Sequence, residues 1–360
     1  MVFRWFGDGN DHVSLSEIKQ IPGVSGVVWS LHDLEPGEKW PKERIQEMKS
    51  LADRYHFNID VVESVNVHED IKLGLPTRTK YIENYIQTIK ELASVGVKVI
   101  CYNFMPVFDW IRTDLFKEME DGSTALFYEK SKVENMNPEE LVNRFSNYQD
   151  STLPGWEPER MGKLSELFEA YKDFTEEMLW DNLQYFLERI IPVAEEYDIK
   201  MAIHPDDPPW SMFGLPRIIT NKENISRLLS IVDSPYNGIT LCSGSLGANE
   251  SNDISEMIRE FGSRIHFAHI RNIKRFENGD FIETSHRESD GSLDIVGIVK
   301  AYHDIGFTGY ARPDHGRHIW EEKCRPGYGL YDRALGIMYI WGIWDSLQRM
   351  KGEHVNVITK

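Results

Sequence analysis

Eight short runs rich in β-branched and aromatic residues punctuate the chain, and between most of them lies an amphipathic helical pattern. The runs are VFRWF at 2–6, GVVWS at 26–30, FNIDVVES at 57–64, VKVICYNF at 97–104, IKMAIHP at 199–205, GITLCSG at 238–244, RIHFAHIR at 264–271 and TGYARPDH at 308–315. Helical periodicity is plain at 41–56, 79–96 and 176–198. Strand–helix alternation calls for parallel strands joined by right-handed crossovers. Eight such units predict an α/β fold, a closed (β/α)8 TIM barrel. An open doubly wound sheet would carry a Gly-rich phosphate turn after its first strand. FGDGNDH at 6–12 lacks the G-x-G-x-x-G spacing.

The 360 residues accommodate one barrel with insertions. No Gly/Ser/Pro-rich linker divides the sequence, so the whole chain, 1–360, reads as one domain. Two spacings exceed a minimal barrel. The stretch from about 105 to 173 is a long insertion after strand four, with turn signals at Glu120-Asp121-Gly122 and Leu153-Pro154-Gly155-Trp156, and is read as helical. After strand seven, FENGDF at 276–281 holds an Asn-Gly hairpin signal, which predicts a small β-ribbon over the barrel mouth.

No apolar run approaches membrane-spanning length, and the opening MVFRWFGDGN lacks the basic start and apolar stretch of a signal peptide. Cys101, Cys242 and Cys324 are too few and too scattered for a disulfide framework, so a cytoplasmic protein with reduced thiols is expected. The net charge of -18 repels nucleic acid and anionic membrane, and an anionic small molecule would need local basic groups in its pocket.

Barrel active sites form at the C-terminal ends of the strands. Strand five ends in His204, strand six in Cys242, strand seven carries His266, His269 and Arg271, and strand eight ends in Arg312, Asp314 and His315. Strand four ends near Asn103, with Asp109 soon after. Alone, His204 reads as a core or capping histidine, Cys242 as a small buried hydrophobe and Asp314 as a cap. Together, His204, Cys242, His269 and Asp314 offer divalent-metal ligands on four consecutive strands. Alternation puts His269 with Arg271, nearer the strand end, and ranks His266 below it. Arg271, Lys274, Arg275, Arg312, Arg317 and His318 are the nearby basic groups, some of them solvated loop charges, and Arg312 shares inward parity with Tyr310 and Asp314.

The segments AIHPDDPPW at 202–210, LCSGSLG at 241–247, HFAHIRN at 266–272 and ARPDHGR at 311–317, with FRWFG at 3–7 and VVWSLHD at 27–33, resemble the mannonate dehydratase family. The resemblance runs over essentially the whole chain. It implies a xylose-isomerase-like TIM barrel binding Mn2+ or Fe2+, with His204, Cys242, His269 and Asp314 as ligands. It also implies dehydration of D-mannonate to 2-keto-3-deoxy-D-gluconate in hexuronate (glucuronate) catabolism. Such a lyase must take a weakly acidic proton alpha to a carboxylate and protonate a poor leaving group. His315, and Tyr328 in the loop CRPGYGLYD, are the candidates for those transfers; Arg312, Arg271 and Asn103 are the candidates for holding substrate. The expected partner is a small sugar acid, neither nucleic acid nor membrane, and a homodimer is expected. A metal-dependent sugar isomerase or epimerase on the same barrel is the competing enzyme. A metal-dependent DNA-repair endonuclease and a non-catalytic sugar-acid-binding protein are the others, the former disfavoured by charge.

Overall fold

In the computed structural model, residues 1–135 and 163–352 are described. Eight strands form one parallel sheet: β1 (Val2–Arg4), β2 (Gly26–Trp29), β3 (Asn58–Glu63), β4 (Val99–Tyr102), β7 (Lys200–Ile203), β8 (Asn237–Cys242), β9 (Ile265–Ile270) and β12 (Tyr310–Pro313). Each is shorter than the run that announced it, because the flanking residues leave the ladder to become loops. The order in space follows the order in sequence, and β12 comes to lie beside β1, which curls the sheet into a barrel.

The apolar stripes of the crossover helices explain why the chain wraps this way. Helix Glu176–Glu196 buries Leu179, Leu183, Phe186, Leu187, Ile190 and Ile191 against the sheet, at the three- and four-residue spacing that gathers side chains on one face. Thr175 caps it by accepting from Met178 N–H. Each fully buried Leu or Ile contributes about 1.5–3 kcal/mol. Inside the barrel Val2, Val28, Val61, Val99, Cys101, Ala202 and Phe267 pack together with Tyr310. These inward positions set the parity of every strand, and with it the residues that reach the open end.

The loops over that end build a second, antiparallel sheet. The ribbon foreseen after strand seven is β10 (Ile273–Arg275) paired with β11 (Phe281–Glu283), turning at Asn278-Gly279, where Gly279 takes φ 85°. The insertion after β4 holds the helices Lys130–Asn135 and Leu164–Ala170 and, in addition, a hairpin: β5 (Asp114–Glu118) with β6 (Thr124–Tyr128). Glu120-Asp121-Gly122 is its turn, and β6 pairs with β11 to complete the sheet. The hairpin was hidden from sequence because its stability comes from pairing with β11 about 150 residues away, which no local pattern records. The Leu153–Trp156 turn signal lies outside the described residues.

Candidate active site

Carried one step past the apolar layer, the inward parity brings chemistry-bearing side chains to the mouth. Val2 is followed by Arg4, Val61 by Glu63, Cys101 by Asn103, Ala202 by His204, Phe267 by His269 then Arg271, and Tyr310 by Arg312 then Asp314. Arg4, Glu63, Asn103, His204, Arg271, Arg312 and Asp314 line one cavity together with His315 and Tyr328.

Four of the side chains meet. One ligand atom each from His204, Cys242, His269 and Asp314 lies within 4.8 Å of the other three. His204 Nε2 is 3.2 Å from His269 Nδ1, and Cys242 Sγ is 3.5 Å from Asp314 Oδ2. His204 Nδ1 sits 2.7 Å from the Pro205 carbonyl, a contact that fixes its proton there and leaves Nε2 with a lone pair. Two imidazoles, a thiol and a carboxylate converging in a buried place fit one divalent ion, whose N, O and S ligands stand about 2.0–2.3 Å from it in zinc sites. Ser245 supports the sulfur, its Oγ 3.1 Å from Sγ. His269 Nε2 accepts from Arg312 Nε at 3.1 Å, and Glu63 Oε1, itself paired with Arg312, stands 3.5 Å from the same nitrogen.

Around this cluster runs a network of buried charges. Arg312 forks onto Glu63, with Nε and Nη2 at 3.1 and 2.9 Å, and its Nη2 also reaches Asp314 Oδ1 at 2.9 Å. Arg271 bridges Asp314 Oδ2 and Asp207 Oδ2, both at 2.9 Å. Arg112, from the insertion, donates to both Asp207 oxygens and to Glu283 Oε1 on β11. Burial works to raise the Asp314 carboxyl, but His315, Arg312, His269 and Arg271 overcome it and hold the group well below the usual carboxylate range. Glu63 and Asp207 are depressed in the same way, against the pull of burial, by Arg312 and by Arg112 with Arg271 respectively.

His315 and Tyr328 are neighbours, with Nε2 3.1 Å from the phenol oxygen. The other ring nitrogen, Nδ1, faces Glu283 Oε1 at 3.3 Å and an Arg271 nitrogen at 3.0 Å. Burial, followed by the Asp314 charge, pushes the Tyr328 phenol up, so it stays protonated. Trp110 from the insertion packs edge-on against the His315 ring.

The structure thus brings together His204, Asp314, His315, Tyr328, Arg312, Arg271, Asn103 and Asp109 around the cavity, and Cys242 and His269 meet His204 and Asp314 behind its lining. Other candidates lie elsewhere. His266 turns outward and packs against Gly238. Arg317 pairs with Asp121 and Asp332, Arg275 donates to the Gly247 carbonyl, and Lys274 is exposed. His318 accepts from Gly327 N–H. Of the two aspartates in AIHPDDPPW, Asp207 lines the cavity while Asp206 pairs with Arg217. Sequence reasoning missed Glu63 and Arg4, which parity with Val61 and Val2 would have found. It also missed Arg112 and Glu283, which carry no local signal.

The family model for D-mannonate dehydratase (UxuA) matches residues 1–354. The chain belongs to the D-mannonate dehydratase family. It is 71% identical over 354 residues to mannonate dehydratase 1 of Halalkalibacterium halodurans, covering 98% of each chain. It is 58% identical over 357 residues to the mannonate dehydratase of Bacillus subtilis, covering 99% of each. Among solved structures, the mannonate dehydratase of Streptococcus suis serotype 2 matches with a TM-score of 0.89 and 43% identity, over 98% of this chain and 96% of that one. An L-ribulose 3-epimerase matches at a TM-score of 0.53 and 11% identity, over 99% of each chain, a likeness of fold alone. The membership expected from the His-Pro-Asp-Asp-Pro-Pro and Arg-Pro-Asp-His-Gly-Arg segments is borne out, and so is the xylose-isomerase-like barrel.

Proposed function

We propose that the chain is a metal-dependent hydro-lyase that removes water from D-mannonate to give 2-keto-3-deoxy-D-gluconate, a step of hexuronate breakdown. The observation that carries the metal dependence is the meeting of His204, Cys242, His269 and Asp314 within 4.8 Å. These four would hold Mn2+ or Fe2+. A bound ion would supply Lewis acidity toward the substrate carboxylate, stabilising the charge that develops when the C2 proton leaves.

The protein's own groups do the rest. Arg271 and Arg312 line the cavity as buried cations that favour a carboxylate there, held in place by their pairs with Asp207, Glu63 and Asp314. The Asn103 amide is a hydrogen-bonding group for a substrate hydroxyl. His315 and Tyr328 divide the two proton transfers, one taking the C2 proton and the other protonating the departing C3 hydroxyl. Glu283 steadies His315 from behind, and Trp110 and Tyr328, both nearly buried, keep bulk water out.

The whole chain acts as one domain, in this reading, with residues 105–173 as an insertion over the site. Three free cysteines, one of them a prospective metal ligand, favour a reducing compartment, so the cytoplasm is proposed. Among the described residues no helix is long and apolar enough to cross a membrane. A homodimer is proposed, and sedimentation velocity tests it. The function itself is tested by stripping the protein with a chelator, restoring it with Mn2+, Fe2+ and other divalent ions in turn, and following keto-acid formation from D-mannonate. Full activity in metal-free protein would end the reading.

A further inference from the structure

The cavity has a wall opposite the ligand cluster that the chemistry at C2 and C3 does not use. His32, on the loop after β2, and Asn66, on the loop after β3, line it beside Arg4 at the end of β1. Arg4 Nη2 lies 2.8 Å from His32 Nε2. A guanidinium has no lone pair to offer, so the arginine donates and His32 Nε2 accepts. The His32 ring is therefore locked as the Nδ1–H tautomer. Burial, then Arg4 and Arg325, hold its pKa well below the ordinary value, so the ring stays neutral. Arg4 is itself anchored by donating through Nη1 to the carbonyls of Trp5 and Val28, at 2.9 and 3.0 Å. Phe6 packs 5.1 Å from the His32 ring on one side and 4.8 Å from the Tyr328 ring on the other, so His32 is spaced from the proton-transfer pair by one aromatic ring.

Among the described residues neither His32 Nδ1–H nor the Asn66 amide has a hydrogen-bond partner. Neutral, oriented donors in a cavity suit hydroxyl groups, and a six-carbon aldonic acid carries three of them beyond its reacting carbons. We propose that His32 and Asn66 form the subsite for the C5 and C6 hydroxyls, the most distal of the sugar acid, with Arg4 as the positioning residue that fixes the His32 tautomer. The proposal rests on the reading that the carboxylate end lies at the four-ligand cluster.

The test uses the metal-loaded full chain and two acids: D-mannonate, and a four-carbon aldonic acid with the same C2 and C3 configuration, read as a competitive inhibitor. His32→Ala and Asn66→Ala should each lower kcat/KM for D-mannonate by roughly 10-fold, mostly through KM, as expected for one lost hydrogen bond. The inhibition constant of the short acid should stay within about twofold, because it lacks the C5 and C6 hydroxyls. His32→Asn, which keeps an N–H near the Nδ1 position, should recover most of the loss. Arg4→Lys, which can still donate to Nε2, should recover more than Arg4→Met. Equal losses for both acids, or no loss for either, would overturn the subsite. A short acid that fails to compete with D-mannonate in the unaltered enzyme would overturn the placement of the carboxylate end, and the subsite with it.

Discussion

Asp314 is where the cluster of His204, Cys242 and His269 and the buried charges join. One of its oxygens faces Arg312, while the other faces Arg271 and Cys242. Its neighbours each have a distinct chemical load, so single substitutions should separate them. Cys242→Ser puts a poor ligand where a thiolate can bind. The variant should lose most of its metal after dialysis while keeping its fold, as read by elemental analysis and circular dichroism. Retention of full metal content would demote Cys242 to a packing residue. His315→Asn and Tyr328→Phe approximate the native shapes but remove the proton-transferring groups. Each should lower kcat by roughly 100- to 10,000-fold, the usual range for a lost general acid or base, with metal content unchanged. Solvent deuterium exchange at C2 then assigns the roles. The variant lacking the base loses exchange along with elimination, whereas one lacking only the acid can still exchange. Near-native rates in both variants would move the search to Asp109 and the insertion.

The elements that roof the site are held by charge as well as by hydrogen-bonded strands. Arg112 reaches from the insertion to Asp207 beyond β7 and to Glu283 on β11, and all three side chains are buried. Removing the cation strands two carboxylates away from solvent, although Arg271 remains beside both. Arg112→Met should therefore cost about 3–5 kcal/mol in denaturant unfolding, the range for breaking a buried pair from one side. A cost below about 1 kcal/mol, typical of surface pairs, would show the network to be structurally idle. The two halves of this roof differed in how readable they were. The ribbon β10–β11 is local, and its Asn278-Gly279 turn announces it. The hairpin β5–β6 is anchored along β11, a partner that exists only once the barrel has placed it.

Across the whole molecule, buried neutral histidines tie stability to pH. Burial, aided by Lys200 and Arg264, pushes His266 down to about 3, and burial lowers His318 to about 4. Unfolded, a histidine takes up its proton below about pH 6.5. Between that value and the folded pKa the unfolded chain binds more protons, so stability is present above pH 6.5 and is lost as pH falls. His266→Leu should reduce the stability lost between pH 7 and pH 5 by about 2 kcal/mol, whatever its effect at pH 7 itself. An unchanged pH slope would mean that His266 charges freely in the folded state. Much of the architecture was already written in the chain. Period-2 runs alternating with period-3.6 stripes are short-range patterns that hydrophobic burial enforces locally, and eight repeats leave few topologies. Because a barrel opens its site at the strand ends, His204, Cys242, His269 and Asp314 could be picked from those ends by residue type. Only the tertiary structure could show that their donor atoms converge. It alone brought Glu63, Arg112 and Glu283 into the same charged network, whereas the split between His266 and His269 already followed from alternation along the strand. Which charges face one another is settled by strand register and barrel closure, long-range geometry that no window of sequence contains.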